Sequence, residues 1–181
     1  MKAITDKSNN SHYFRKLTES DAILLGNYFE SLSAETRRRF GPHPLTSEYA
    51  QHLCTLTNDT AQRFIVIENG GSRIIAYFIL DFKMSEHEKS RYAQFDIQLC
   101  DDLDVLFAPS VADDYQNKGI ASDAMKLIIE EACTLNARSL VLMGGTQETN
   151  ARAIAFYEKF GFKRFGGYQT DMFNHDMRVF L

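Results

Sequence analysis

The chain has 181 residues, 44% apolar and 24% charged, a composition that fits a folded protein with an ordinary core and excludes a disordered segment, where apolar content falls and net charge climbs. That length favours one domain over residues 1–181, large enough to bury roughly two-thirds of the surface its unfolded form exposes. With 20 Lys plus Arg against 24 Asp plus Glu the net charge is −4, so no broad cationic surface is available to release counterions from a phosphodiester backbone, and nucleic acid is disfavoured as a partner.

Along the chain, the polar run Ser8-Asn9-Asn10-Ser11 reads as a frayed end. His12 to Leu17 reads as a strand. The cap-forming Thr18-Glu19-Ser20-Asp21 then precedes Ile23, Leu24, Tyr28, Phe29 and Leu32, the start of a helix. A second helix opens at Ser33 and stops at Gly41-Pro42-His43-Pro44, where proline removes a donor; a short third one runs from Thr46 or Ser47 to about Leu56. Arg63–Glu68 and Arg73–Phe82 are rich in β-branched and aromatic residues and are joined by Asn69-Gly70-Gly71-Ser72, an antiparallel hairpin.

From Met84 to Asp102 the pattern is polar, and periodicity leaves open whether Tyr92–Leu99 is strand or loop. Leu103–Val111 reads as a mostly buried strand whose pairing is interrupted near Pro109. After Gly119 the series Ile120, Ala124, Leu127, Ile128 and Leu135 recurs at helical spacing. The apolar run Ser139–Met143 completes a parallel βαβ unit. A helix capped by Asn150 ends before Gly161, and strands near Phe162–Gln169 and His175–Leu181 close an α+β arrangement.

Chemistry concentrates between the buried strand and the long helix, in Val111-Ala112-Asp113-Asp114-Tyr115-Gln116-Asn117-Lys118-Gly119-Ile120-Ala121. A glycine there lets backbone approach a ligand, and a helix start offers unpaired NH groups with partial positive charge, a ready site for pyrophosphate. Taken alone, the segment reads equally as an ordinary strand-to-helix turn. Neither a P-loop nor a G-x-G-x-x-G dinucleotide fingerprint is present.

Gln116-Asn117-Lys118-Gly119-Ile120-Ala121 resembles the Q/R-x-x-G-x-G/A acetyl-CoA motif of the GNAT superfamily of N-acetyltransferases, and Asn150-Ala151-Arg152-Ala153-Ile154-Ala155-Phe156-Tyr157-Glu158-Lys159-Phe160-Gly161-Phe162 is similar to its N-x-x-A-x-x-x-Y-x-x-x-G-F segment. The resemblance spans about Leu103 to Phe165, with Ala121 where many relatives have glycine. It implies a mixed, mostly antiparallel twisted sheet with helices on both faces and the parallel βαβ unit at the cofactor site. It also implies acetyl transfer from acetyl-CoA to an amine by direct attack in a ternary complex. Gln116, Lys118, Gly119, Ile120 and Ala121 would then hold the pyrophosphate, and Val111 and Ala112 would line the pantetheine, orienting the thioester by position. Asn150 would contact the cofactor or cap its helix. Tyr157 would be the general acid for the departing thiolate, or, read without the motif, an aromatic core residue between Phe156 and Phe160.

The general base is less defined. Asp104, at the start of the strand, is a weak candidate beside its reading as a solvated turn acid; Glu35 and His43 are others, each first read as a surface group. Arg37-Arg38-Arg39 could pair an acceptor carboxylate or phosphate but reads first as a solvated helix face. The histidines His12, His43, His52, His87 and His175 have no metal-ligand spacing, so metal-free chemistry is expected. Cys54, Cys100 and Cys133, with no C-x-x-C pair, suit reduced and mostly buried thiols.

Apolar runs such as Ile74–Leu80 fall far below the roughly 18 residues of a membrane span, and Met1–Asn10 has no apolar stretch of the secretory kind. A cytoplasmic enzyme acting on a small-molecule or peptide amine is expected. The competing reading is a non-catalytic acyl-CoA-binding regulatory module. Acceptor identity, acyl length and oligomeric state, a homodimer included, are left open.

Overall fold

Alternating and β-branched segments give strands, and helical segments, several of them side-chain capped, lie between them in the computed structural model, which describes residues 1–56 and 60–181. In order these are β1 (Lys2–Thr5), β2 (Ser11–Lys16), α1 (Ala22–Ser31), α2 (Ala34–Arg39), α3 (Ser47–Thr55), β3 (Ala61–Glu68), β4 (Ile74–Asp81), α4 (Glu86–Ala93), β5 (Asp104–Val111), α5 (Ile120–Thr134), β6 (Ser139–Leu142), β7 (Thr146–Gln147), α6 (Ala151–Lys159), β8 (Lys163–Gln169) and β9 (Phe173–Phe180). The fold is mixed α+β, an open twisted, mostly antiparallel sheet with a parallel pair and, among the described residues, six α-helices.

The chain forms two compact units, one of Met1–Ile79 with Pro109–Ile128 and one of Leu80–Ala108 with Ile129–Leu181. In the first, β1 pairs antiparallel with β2 and β2 with β3, in the order β1-β2-β3-β4. The amino end is therefore a hairpin, where the polar run had suggested fraying. Its turn is held by the Asp6 carboxylate, which accepts from Ser8 N (2.8 Å), Asn10 N (2.9 Å) and Asn10 Nδ2 (2.9 Å). Side-chain caps start the helices where the sequence placed them: Ser33 Oγ accepts from Thr36 N at 3.2 Å for α2 and Thr46 Oγ1 from Tyr49 N at 3.1 Å for α3. Leu25, Tyr28, Phe29, Phe64 and Ile65 are among the buried residues of this unit, and the Phe14 and Phe64 rings stack at 5.3 Å.

In the second unit β5 and β6 run parallel, and their register ends at Phe107↔Leu142, short of Pro109 as expected of a residue without a backbone donor. Strands β6 and β7 follow one another along one edge of β9, and β8 takes the other. The polar stretch after Met84 contains α4, capped by Ser85, whose Oγ accepts from Glu88 N at 3.2 Å; of Tyr92–Leu99, left open between strand and loop, Tyr92 and Ala93 end this helix and the rest is turn and loop. Its buried residues are Glu88, Arg91 and Tyr92, and Arg91 pairs with buried Asp176 on β9 at 3.0 Å. Of the cysteines, Cys54 is half-buried, while Cys100 and Cys133 are exposed rather than buried; all are free thiols.

Asp104 opens β5 and is fully buried, not solvated. It accepts from Arg138 Nη2 (2.6 Å), Ser139 Oγ (2.6 Å), Cys100 N (2.8 Å) and the Arg178 guanidinium. Burial pushes its carboxyl up, but the bonds from Arg138, Ser139 and Cys100 and the charge of Arg178 outweigh this and hold it at about 2. Arg178 is itself buried, so Asp104→Asn leaves a guanidinium without a counter-charge and costs about 3 kcal/mol by denaturant unfolding at pH 7. Because the folded value lies below the ordinary 3.8, this stabilisation is present above about pH 4, and the gap between wild type and variant closes as pH falls toward 2.

Candidate active site

The turn from β5 into α5 carries most of the site residues singled out in the sequence. Strand β5 ends at Val111; a single helical turn over Asp113–Tyr115 follows, then Gln116 in extended conformation. Asn117 (φ 64°) and Gly119 (φ 92°) both take positive φ before α5 begins at Ile120. Ala112 is anchored on β4, its N–H donating to Ile75 O at 2.9 Å. Gln116 closes the turn, its Nε2 donating to Val111 O at 3.3 Å.

Among the described residues, the backbone amides of Asn117, Lys118, Gly119, Ile120 and Ala121 donate to nothing within the protein, while Gly119 O already accepts from Ser122 N at 2.9 Å. These are the orphan donors of a helix start, gathered on one turn with the positive end of α5 behind them.

The two acids that begin this turn point their charge elsewhere. Asp113 accepts from Ser33 N (2.8 Å), Ser33 Oγ (2.8 Å) and Thr36 Oγ1 (2.6 Å) at the start of α2. Asp114 takes a bidentate fork from Arg73, at 2.7 and 2.8 Å. Burial raises Asp113, but the bonds from Thr36 and Ser33 bring it below the usual carboxylate range, and the Arg73 fork does the same for Asp114. Next to them, Tyr115 gives its hydroxyl proton to a bond with Glu68, which pushes the phenol up to about 12. Its ring carries the Lys118 ammonium at 4.6 Å. One strand position before Val111, buried Ser110 Oγ lies 2.8 Å from the Tyr28 hydroxyl on α1.

Asn150 and Tyr157 both belong to α6. Asn150 caps it, its Oδ1 accepting from Ala153 N at 3.2 Å. Tyr157 is buried against Phe156 and Phe162 at ring distances of 5.4 Å. Its hydroxyl has no hydrogen-bond partner among the described residues, and burial pushes its pKa up, so the proton stays on at neutral pH.

The base candidates fare less well. Asp104 is held at about 2 with its oxygens committed to Arg138, Arg178 and Ser139, a poor proton acceptor at neutral pH. Glu35 is exposed and pairs with Arg39 one helical turn on. His43 is no surface group: it sits among the rings of Phe29, Phe40, Tyr49 and Tyr77. Burial lowers its imidazole to about 4. Its Nδ1 donates to Pro44 O at 2.8 Å, and Nε2 is left to accept from the Tyr77 hydroxyl at 3.2 Å. Arg37 does not present a solvated face either; it donates to Leu32 O (3.0 Å), Leu45 O (2.7 Å) and Phe29 O, tying down the end of α1. Among the described residues no His, Cys, Asp and Glu cluster could hold a metal ion.

The profile of the Acetyltransferase (GNAT) family matches residues 27–162. The chain belongs to this family. Among solved structures, it is similar to the GNAT domain of S. lividans PAT, at 17% identity and TM-score 0.76 over 99% of this chain and 96% of that one. It is also similar to the ribosomal-protein-S5-alanine acetyltransferase of Vibrio fischeri, at 16% identity and TM-score 0.73 over 99% and 97%. A spermidine N-acetyltransferase SpeG mutant from Vibrio cholerae aligns at 16% identity and TM-score 0.67 over 93% of each chain. At such identities the structures share the fold. No curated protein sequence matches the chain.

Gly119 is where the GNAT-type turn is most constrained. At φ 92° an added Cβ would be strained and would also meet Lys7 Cγ at 3.4 Å. Gly119→Ala should cost about 1 kcal/mol or more of stability in urea unfolding, whereas alanine at exposed Gly41, with open space and no positive φ, should not destabilise.

Proposed function

We propose that this GNAT-family chain, as one domain over residues 1–181, is an acetyl-CoA-dependent N-acetyltransferase. The observation that carries the reading is the run of unspent amides from Asn117 to Ala121, inside the segment that matches the family's acetyl-CoA motif, on a turn whose own acids are hydrogen-bonded to Ser33, Thr36 and Arg73. In this reading Gln116 shapes the turn, the amides of Lys118, Gly119, Ile120 and Ala121 hold the pyrophosphate, and Val111 and Ala112 line the pantetheine.

The deprotonated amine attacks the thioester carbonyl carbon, forming the C–N bond as negative charge collects on the oxygen. Collapse breaks the C–S bond, and the thiolate takes the Tyr157 proton. Two features support Tyr157 as that acid: its match to the family motif and its uncommitted hydroxyl, which is protonated at neutral pH. Its anion is reprotonated from solvent between turnovers. Asn150 acts through its cap, fixing the start of α6. With Asp104 committed to its guanidinium partners, proton loss from the amine falls to water rather than to a carboxylate on β5.

The acceptor is an amine, small or peptide-borne; a net charge of −4 favours approach of cations without naming one. Incubation with acetyl-CoA and a panel of polyamines, aminoglycosides and peptides should release free thiol only when an amine acceptor is present. Saturable CoA binding with no thiol release at any pH would instead indicate a binding module. With an active acceptor, Tyr157→Phe should lower kcat on the order of 10²-fold and leave the Kd for acetyl-CoA unchanged; an unaltered kcat would remove Tyr157 from the mechanism.

A further inference from the structure

We propose that Lys7, on the hairpin between β1 and β2, is a pyrophosphate-binding residue, a contact contributed by the amino-terminal hairpin rather than by the motif. This rests on the acyl-CoA reading above and adds a residue to it.

Lys7 is locked to the motif turn from outside. Its backbone N–H donates to Lys118 O at 2.8 Å, and its Cγ lies 3.4 Å from where a Cβ on Gly119 would stand. The aliphatic stem therefore lies over the glycine whose amide is unspent. The hairpin turn itself is fixed, since Asp6 accepts from Ser8 N and from both Asn10 nitrogens, and Asp6 N and Asn9 N close further bonds to Asn10 O and Asp6 O at 3.0 Å. Those bonds hold the Asp6 carboxyl at about 2, so its charge and the turn persist across the physiological range.

The charge balance around Lys7 favours an incoming anion. Asp113 is spent on the hydroxyls of Ser33 and Thr36, and Asp114 on the Arg73 fork. The Lys118 ammonium rests on the Tyr115 ring. Among the described residues the Lys7 ammonium has no ion-pair partner. A pyrophosphate seated on the amides of Lys118 to Ala121 would thus meet a cation carried by a neighbouring, ordered turn whose own carboxylate, Asp6, is engaged with Ser8 and Asn10. A Cβ at Gly119 would stand in van der Waals contact with the Lys7 stem, at 3.4 Å from its Cγ.

The test is calorimetric titration of the full chain, as wild type, Lys7→Ala, Lys7→Glu and Lys7→Arg, with CoA and with 3′-dephospho-CoA at low and high salt. Lys7→Ala should raise Kd about fivefold for both ligands, the size of an exposed charge contact. Lys7→Glu should raise it further, and Lys7→Arg should stay near wild type. The differences should shrink at high salt while melting temperatures hold. Equal binding by wild type, Lys7→Ala and Lys7→Glu would overturn the proposal, as would a loss seen with CoA that vanishes with dephospho-CoA, which would place Lys7 at the 3′-phosphate. A wild-type chain that binds neither ligand would overturn the acyl-CoA reading itself, and this assignment with it.

Discussion

An anion site of the kind proposed, on a turn that begins with two adjacent carboxylates, works only if those carboxylates are tied elsewhere, and the β5–α5 turn meets that constraint. Asp113 is drawn to the start of α2 by one amide and two hydroxyls, and Asp114 to the Arg73 guanidinium. Each tie also builds structure. The first fastens α2 to the turn, and the second brings Arg73 to 5.5 Å from the Tyr115 ring that carries Lys118. What remains unpaired on the turn is a set of NH groups at the positive end of a long helix, the arrangement that favours phosphate.

The second unit handles charge differently. There the acids are buried rather than turned aside: Asp104 under Arg138 and Arg178, Asp176 beside Arg91. These pairs join β5, β6, β9 and α4, and their value lies in the penalty for losing one partner more than in net attraction. A carboxylate used in this way is unavailable for proton transfer, which is why β5 offers no general base and why the proposed chemistry relies on positioning, with Tyr157 as the proton donor.

Where local pattern carries the information, the fold was legible in the sequence. The β3–β4 hairpin, the caps at Ser33, Thr46 and Asn150, and the β5–α5–β6 unit all lie near where spacing and capping residues place them. The motif turn was legible for the same reason, since glycine and the helix start are contiguous. Strand β1 was missed because its four residues bury only Ile4, too little for an alternating signal. Helix α4 was missed because its inward face includes Glu88 and Arg91, polar residues whose burial depends on partners such as Asp176, 85 residues away from Arg91. Asp104 looked solvated for the same reason: its guanidinium partners lie 34 and 74 residues on. The contact of Lys7 with the motif turn left no trace in local pattern.

The central claim is that the turn from Gln116 to Ala121 is a preformed pyrophosphate cradle, and it is tested most directly by following the amide resonances of ¹⁵N-labelled protein during titration with CoA. The account predicts saturable shifts concentrated at Lys118, Gly119, Ile120 and Ala121, with ATP at the same concentration a weak competitor. Shifts that spare these amides, or ATP that displaces CoA on equal terms, would contradict it.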